Sequence, residues 1–452
     1  MKKNEINTKN GIASLIQLEA ISSMDTYMYQ VDKVINEESN ESNDNSKSTA
    51  DCSRLFYPPS DTPQPHGIFE TSYFRHTLFD KESFIIEHMY HQFDTTIRFE
   101  IESSMCDAIG DLTLKIVLPN IVPFEHKWTN SIAHALIEHI KIKNGDEELV
   151  TYTGEYLHLL FLLNTPRTKY TAACVMYGHH HSRFSCNGNA QDVYIHIPFF
   201  KEEHEKYFFP LITANKRTIS IEVKYSPLYR LLYIDDEQDA SIQFDINKEN
   251  IRLNVQQSNQ TVTSDVRLKT FLLFDGYHLH QEERMLFLNN PSEYIFKQIT
   301  SRTYVGKRGE TIMNCYLDFK DAISDLIIVV KPTYKLIENK QFEYMPVDAF
   351  TFIFDGNVTN DFKMSASKYL FMNTFIGCPQ EWVYCIPFGL SSTTFQPTGS
   401  YTFSGKQGKN VLVIHRNDTR QSVTQSECLI TIYGISYNYL MVNDGLSKLK
   451  LL

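Results

Sequence analysis

Tryptophan, long apolar runs and excess positive charge are all scarce in this chain of 452 residues. Its longest apolar run, near Leu326 to Val330, is far shorter than the roughly 20 residues that a membrane-spanning helix needs. We therefore expect no segment that spans a membrane. The formal net charge is -11, whereas proteins that bind nucleic acid usually concentrate lysine and arginine on one face. This balance argues against direct contact with a genome.

The eight cysteines are scattered, and no two of them form a CxxC pair. The N-terminal residues also lack the pattern of a secretory signal. Cysteines without a disulfide-like spacing are typical of proteins that fold in a reducing compartment. We therefore expect the chain to fold in the cytoplasm.

Motifs for catalysis are missing as well. No glycine-rich phosphate loop precedes a helix, and the GxSxG pattern of serine hydrolases is absent. The strongest metal candidate is His179-His180-His181, with Cys186 nearby, because imidazole and thiolate both bind zinc. Adjacent histidines cannot all face one ion, and the run lies in a predicted loop, so we favour a structural or incidental role.

Two further groups of polar residues have a plain interpretation. His278 and His280 precede Glu282 and Glu283, which is similar to the metal motif of cupins, but a cupin needs its glutamate farther downstream. An acidic cluster indicates either a solvated loop, which we favour, or a cation site between subunits; it consists of Asp235, Asp236, Glu237 and Asp239. We assign no catalytic, cofactor-binding or metal-binding residue and expect no cofactor.

What the sequence does contain is a series of short strand patterns. Apolar residues alternate with polar ones in three clear segments, as expected for strands with one buried face; these are Leu112, Leu114, Ile116 and Leu118, then Ile219, Ile221 and Val223, then Phe350, Phe352 and Phe354. Hydrophobic residues make up 42% of the chain, which is ample for two large cores. The pattern predicts a mostly β protein.

Local signals refine this prediction at three places. Asn144-Gly145 is typical of a hairpin turn, and the spacing of apolar residues from Glu155 to Asn164 predicts a short amphipathic helix. In Tyr384–Ser404 a strand runs into a polar loop, and Pro397 and Gly399 favour a tight reversal into a strand that carries Tyr401 and Phe403.

Several segments, in chain order, resemble the major capsid proteins of nucleocytoplasmic large DNA viruses. The most specific is the run Gln396-Pro397-Thr398-Gly399 followed by Phe403-Ser404. A second block resembles the family at Phe69, Tyr73, Arg75, His76, Thr77, Phe79, Glu82 and Ser83. Weaker matches are Gly11, Leu15, Leu18, Asp25 and Tyr27, the strand start Gly110-Asp111-Leu112, the segment Pro210-Leu211-Ile212, the pair Glu283-Arg284, and Asn438 with Leu440.

The resemblance implies an all-β fold of two tandem antiparallel eight-stranded jelly rolls with short helices in the loops. We place the first roll at 67–276, a linker at 277–292 and the second roll at 293–452. Residues 1–66 would be an N-terminal arm followed by a polar insertion, which is either a flexible solvated loop or a tether for another shell protein.

The resemblance further implies a structural protein that forms homotrimers with a pseudo-hexagonal outline, which tile an icosahedral virion shell. Its partners would be neighbouring capsomers, minor capsid proteins and an inner viral membrane, with assembly in the host cytoplasm. Alternatives remain open. A capsid-like scaffold could shape a viral membrane during assembly, and a different class is represented by a bicupin-like metalloenzyme or a carbohydrate-binding sandwich.

Overall fold

A computed structural model describes most of the chain from Leu78 onward. The described residues are 78–119, 127–179, 191–200, 208–214, 216–233, 267–290, 292–337, 339–354, 357–358, 364–371, 375–377, 382–393, 397–403, 410–416, 427–443 and 446–450. The predicted N-terminal arm and polar insertion lie outside these residues, as does the block from Phe69 to Thr77.

Twenty-one strands and six α-helices make up the described part. The strands are β1 Phe79–His91, β2 Thr96–Ile101, β3 Ala108–Leu118, β4 Lys127–Trp128, β5 Ile137–Asn144, β6 Glu147–Thr153, β7 Gln191–Ile197, β8 Ile219–Tyr225, β9 Leu232–Tyr233, β10 Leu268–Leu279, β11 Ser292–Gly306, β12 Ile312–Tyr316, β13 Ala322–Pro332, β14 Ala349–Phe354, β15 Asn357–Val358, β16 Met364–Ser365, β17 Tyr384–Pro387, β18 Tyr401–Thr402, β19 Val411–His415, β20 Cys428–Asn443 and β21 Leu446–Lys450. The helices are α1 Ile132–Leu136, α2 Gly154–Asn164, α3 Arg167–Tyr177, α4 Gln281–Asn289, α5 Thr333–Ile337 and α6 Ala366–Phe371, with a 3₁₀ turn at Leu228–Arg230. None of the described helices is long and apolar enough to cross a membrane.

Eight of the ten strands up to β10 form two facing four-stranded sheets, and the other two, β4 and β9, pair with each other. One has the order β1-β10-β3-β7 and the other β2-β8-β5-β6, with antiparallel pairing throughout. Apart from the β5–β6 hairpin, successive strands of these two sheets alternate between them, as in a jelly roll. We call this half roll 1.

The strands from β11 onward repeat the same winding. One sheet has the order β11-β20-β13-β17 and the other β12-β19-β14-β15, and short strands β18, β21 and β16 join them. We call this half roll 2. The prediction of an all-β double jelly roll with short helices is confirmed. Helix α4 lies between the last strand of roll 1 and the first of roll 2.

The predicted strand faces are the buried faces. Leu114 and Ile116 on β3 are fully buried, and so are Ile221 and Val223 on β8, which belongs to the facing sheet. Gly145 has φ 61 in the turn between β5 and β6. The hairpin prediction is therefore confirmed, and the predicted helix is present as α2. The prediction that this helix is amphipathic is wrong, because eight of its eleven residues are buried and they cover all its sides.

Strand β13 differs from a half-exposed strand because every residue from Ile323 to Pro332 is buried. Leu326, Ile328 and Val330 pack into the core of roll 2. Ile327 and Val329 point the other way, into the core cluster of roll 1. A strand covered on both faces reads as a continuous apolar run, and this explains why the longest apolar run of the sequence lies here.

The prediction of a tight reversal in Tyr384–Ser404 is wrong. Strand β17 pairs with β13 from Ile328 to Asp325, and β18 continues along the same edge at Ile323 and Ala322. The chain therefore leaves the sheet edge and rejoins it in the same direction. The described parts of this excursion, 388–393 and 397–400, form a loop with closely spaced ends.

Glycine is required at the neck of this loop, where the chain around Gly389 lies close to the chain around Gly399. A Cβ on Gly389 would lie 2.8 Å from Thr398 Oγ1, and one on Gly399 would lie 2.9 Å from the carbonyl oxygen of Phe388. The Thr398 hydroxyl donates to the carbonyl of Ser391 and accepts from its amide, both at 3.1 Å. The polar and glycine residues that suggested a turn instead close the neck of the loop.

Candidate functional site

The two rolls meet in a buried junction formed mainly by α2 of roll 1 and by β13 and β20 of roll 2. Tyr156 on α2 contacts Tyr433 on β20, with ring centroids 5.5 Å apart. Phe200, which follows β7, contacts Phe296 on β11 at 6.0 Å. The apolar core of roll 1 is therefore continuous with one face of roll 2, and residues 78–452 form one compact unit.

An ion pair crosses this junction. Lys331 Nζ lies 2.8 Å from Glu155 Oε1, and the two side chains are only 10% and 15% exposed. Tyr433 donates its hydroxyl to Glu155 Oε2 at 3.0 Å. Burial of the Tyr433 phenol, with the Glu155 carboxylate beside it, raises its pKa well above the usual value, so the hydroxyl stays protonated and donates.

Asn339 makes a second polar connection. Its backbone has φ 60, a conformation that asparagine tolerates better than most residues. Its side-chain nitrogen donates to the backbone carbonyls of Tyr229 and Leu232 at 2.7 and 2.9 Å. Its backbone carbonyl accepts a hydrogen bond from the Thr129 hydroxyl at 2.7 Å. One residue of roll 2 thus satisfies three groups of roll 1.

A cavity of about 230 Å³ also lies between the rolls. Tyr152 and Tyr156 line it from roll 1, and Lys297 and Asp325 line it from roll 2. Both carboxylate oxygens of Asp325 accept hydrogen bonds from serine hydroxyls, one from Ser324 at 2.8 Å and one from Ser392. Burial raises the pKa of Asp325 above its ordinary value despite these bonds.

The histidine run separates into described and undescribed parts. His179 is buried, and its Nδ1 lies 2.6 Å from the Ser131 hydroxyl, while His180, His181 and Cys186 lie outside the described residues. The acidic cluster from Asp235 to Asp239 lies outside them too. Among the described residues no group of three histidine, cysteine or acidic side chains has the geometry to hold a metal ion.

The cupin-like residues are dispersed by a change of secondary structure. His278 lies near the end of β10, where its Nε2 is 3.4 Å from Glu82, and the two side chains are 41% and 62% exposed. His280 has left the strand and precedes the first turn of α4. Arg284 on α4 instead lies 3.5 Å from Asp107, whose other oxygen accepts from the Leu279 amide at 2.9 Å. These residues fix the linker helix to roll 1.

The described cysteines are core side chains. All five are free and buried, and they are Cys106, Cys174, Cys315, Cys385 and Cys428. Burial raises the pKa of the Cys106 thiol to about 11 and that of Cys315 to about 12. Because a thiolate is the reactive species, these thiols are inert at neutral pH.

Exposed apolar side chains occupy corresponding strands in the two rolls. On β1, the first strand of roll 1, Ile85 is 61% and Tyr90 59% exposed. On β11, the first strand of roll 2, Val305 is 67% exposed, and on the following strand Ile312 is 50% exposed. Clustered exposed apolar residues mark protein contact faces, so we name these the β1 face and the β11–β12 face.

Comparison with known proteins settles the family of the first half. Residues 67–268 match the family described as the N-terminus of major capsid proteins. This region belongs to the major capsid protein family. The predictions of a major capsid protein, and of a structural protein rather than an enzyme, are confirmed. No curated protein matches the chain by sequence.

Solved structures extend the similarity in fold beyond this capsid protein domain. PBCV-1 VP54, from a structure fitted into a reconstruction of the virophage Sputnik, has a TM-score of 0.68 at 14% identity, covering 85% of this chain and all of that one. The Faustovirus major capsid protein has a TM-score of 0.60 at 8% identity, covering 94% and 99%. The Sputnik virophage structure has 0.52 at 10%, covering 86% and 92%.

Sequence reasoning missed the junction. The one sequence feature that points to the junction is Lys331, a charged residue directly after the apolar run of β13. A lysine buried at that position needs a partner of opposite charge. The partner Glu155 is 176 positions away, and nothing in the spacing of either residue relates the two. The contact is visible only once both rolls are folded.

Proposed function

We propose that three copies of the chain form a capsomer of pseudo-hexagonal outline. The observation that supports this most is the repeat of one strand order in two rolls that share a single compact unit. Three copies of such a unit present six similar sandwiches around a threefold axis. The buried junction keeps the two rolls of each subunit at one fixed spacing.

The β1 face and the β11–β12 face are the proposed contacts between subunits. They lie on corresponding strands of the two rolls. Contacts between neighbouring rolls can therefore have nearly the same geometry at each position around the ring. An obligate interface of this kind buries about 2,000 Å² or more and is more apolar than the rest of the surface. Exposed Ile85 and Val305 would be covered there.

Trimers then tile an icosahedral virion shell through weaker, polar contacts. Residues 1–66 would serve as an arm beneath the capsomer, with roll 1 at 67–276, the linker at 277–292 and roll 2 at 293–452. Minor capsid proteins and an inner viral membrane are the proposed partners under the shell. Folding and assembly would take place in the host cytoplasm.

The first test is the solution mass of the tag-free protein, measured by light scattering. We expect a stable trimer of 52.6-kDa chains. Ile85→Lys and Val305→Lys should each shift the mass toward that of a monomer, because a charge would be buried in the interface. Ile337→Lys is the matched control, since Ile337 is 74% exposed and lies on α5, which belongs to neither face.

Two results would count against this proposal. A folded monomer at all concentrations would contradict the trimer, and loss of the trimer in Ile337→Lys but not in Ile85→Lys would contradict the faces. Presence in purified virions separates a shell protein from an assembly scaffold. A chain found on assembling membranes but absent from finished particles would be a scaffold.

A further inference from the structure

The cavity of about 230 Å³ between the rolls has walls of mixed chemistry. Tyr152 and Tyr156 line it from roll 1, and their rings are stacked with centroids 6.3 Å apart and planes 11° apart. Ile299 and Ile435 add apolar surface from roll 2. Sites for small molecules combine aromatic and aliphatic walls with a few polar groups in this way. We call this space the roll cavity.

The charged groups of the roll cavity come from roll 2. Among the described residues that line it, the charged ones are Lys297 and Asp325. Asp325 is 3% exposed, and its carboxylate accepts hydrogen bonds from the hydroxyls of Ser324 and Ser392. Burial raises the pKa of Asp325 above its ordinary value, although these two bonds and the charge of Lys297 act in the opposite direction. Two opposite charges therefore lie close enough to interact.

These walls favour an occupant that has no net charge but forms many hydrogen bonds. An ion would meet one opposite charge and one like charge at Lys297 and Asp325. A hydroxyl group can accept from the Lys297 ammonium, and it can also donate to the Asp325 carboxylate, because each carboxylate oxygen accepts more than one hydrogen bond. The tyrosine and isoleucine side chains meanwhile favour a carbon skeleton. A compact polyol combines both properties.

Size and access narrow the class further. The roll cavity is smaller than the roughly 300–1,000 Å³ of sites for drug-sized ligands, so it suits a molecule with a single ring. Three of the residues that line it are exposed, and they are Asn164, Ile376 and Thr393. In the described part of the chain the roll cavity therefore opens to solvent on that side, while Asp325 lies at its buried side.

We propose that the roll cavity binds a single sugar ring, either as a free monosaccharide or as the last residue of a glycan. The sugar hydroxyls bond to Lys297 and Asp325 and supply the hydrogen bonds that water supplies in a polar cavity. Because both rolls line the cavity, the bound ring links them. Neither Ile85 nor Val305 lines it, so sugar binding and trimer formation can fail independently.

Saturation-transfer NMR on the full, tag-free protein tests the proposal, with D-glucose, D-galactose and D-mannose as probes. We expect transfer to at least one of these sugars, with a Kd on the order of 1 mM, because ligands of this size bind weakly. L-Leucine is the comparison ligand, since it is a zwitterion of similar size. Absence of transfer to all three sugars would overturn the proposal, and so would equally tight binding of L-leucine.

Two variants and a control locate the bound sugar. Lys297→Met removes a charged donor and should weaken binding about tenfold or more, and Thr393→Trp should abolish binding by filling the opening. Leu390→Trp is the matched control, because Leu390 is 87% exposed in the same loop and does not line the roll cavity. Unchanged binding in both cavity variants would overturn the proposal. If Thr393→Trp does not fold, Lys297→Met still decides, since its side chain is only half-buried.

Methyl glycosides of the sugar that binds distinguish its two sources. The methyl group on the anomeric oxygen stands in for the next residue of a glycan. If either anomer binds as tightly as the free sugar, the roll cavity accepts the end of a glycan. If both anomers fail to bind while the free sugar does, the site takes a free monosaccharide. Binding of a glycoside that persists in Thr393→Trp would place the sugar elsewhere and contradict the proposal.

Discussion

Roll 1 and roll 2 share one strand order but differ in their connections. In roll 1 the hairpin β5–β6 is long, and β7 is one continuous strand of seven residues. In roll 2 the corresponding hairpin β14–β15 ends in a strand of two residues, and the strand corresponding to β7 is divided into β17 and β18. The order of the strands in the sheets is thus the same in both rolls, although the strands differ in length and continuity.

The rolls also differ in the segments that connect their strands. Roll 1 inserts α2 and α3 between β6 and β7, and α2 carries Glu155 and His158 into the junction. Roll 2 instead interrupts its sheet edge with the 388–400 loop. The two rolls therefore share the arrangement of their sheets, whereas the segments inserted between the strands determine which contacts each roll makes.

The largest expected effect comes from the ion pair that joins the rolls. Lys331→Met leaves Glu155 buried without its cation, so the free energy of unfolding should fall by about 3–5 kcal/mol. The double variant Glu155→Gln/Lys331→Met should recover much of this loss, because the uncompensated charge is gone. Urea unfolding measures both, and a double variant no more stable than Lys331→Met would contradict the explanation.

The next prediction uses the outer faces of two corresponding strands. Ile327→Ala on β13 should cost about 2–4 kcal/mol, because its side chain is fully buried against roll 1 and leaves a cavity. Val117→Ala on β3, which faces outward and is only half-buried, should cost less than about 1 kcal/mol. Similar costs in thermal unfolding would mean that the outer face of β13 is not held against roll 1.

The loop that exists in roll 2 alone gives a smaller effect. Gly389→Ala forces Thr398 away from the loop neck, so we expect a loss of about 1–3 kcal/mol in chemical unfolding. Leu390→Ala in the same loop is the matched control. Leu390 is 87% exposed, and its substitution should change stability by no more than about 0.5 kcal/mol.

The smallest expected effect is that of an ion pair within one sheet of roll 1. Lys141 lies 3.0 Å from Glu148, and the side chains are 32% and 44% exposed. Lys141→Met should cost about 0–1 kcal/mol, and salt should reduce that cost further. A loss of stability equal to that of Lys331→Met would show that burial does not account for the expected difference between the two ion pairs.

The sequence predicted what depends on local patterns and on recognisable motifs. Leu112 to Leu118 alternate with period two, so the buried face of β3 follows from spacing alone, and the capsid-like blocks indicated the double jelly roll. The junction could not be predicted, because Glu155 and Lys331 meet only through tertiary packing. The course of 388–400 was mispredicted, since a glycine and proline pattern fits both a reversal and the neck of a loop.

The antiparallel pairing of β1 with β10 has a consequence for synthesis. Ser83 and Asp275 are joined by a hydrogen bond although they are 192 positions apart, so β1 leaves the ribosome long before its partner. At roughly 5–20 residues per second, this delay is on the order of 10–40 s. During that interval β1 and its apolar Ile85 lack the strand that will cover their edge. Slow translation between the two strands should therefore lower the yield of folded protein.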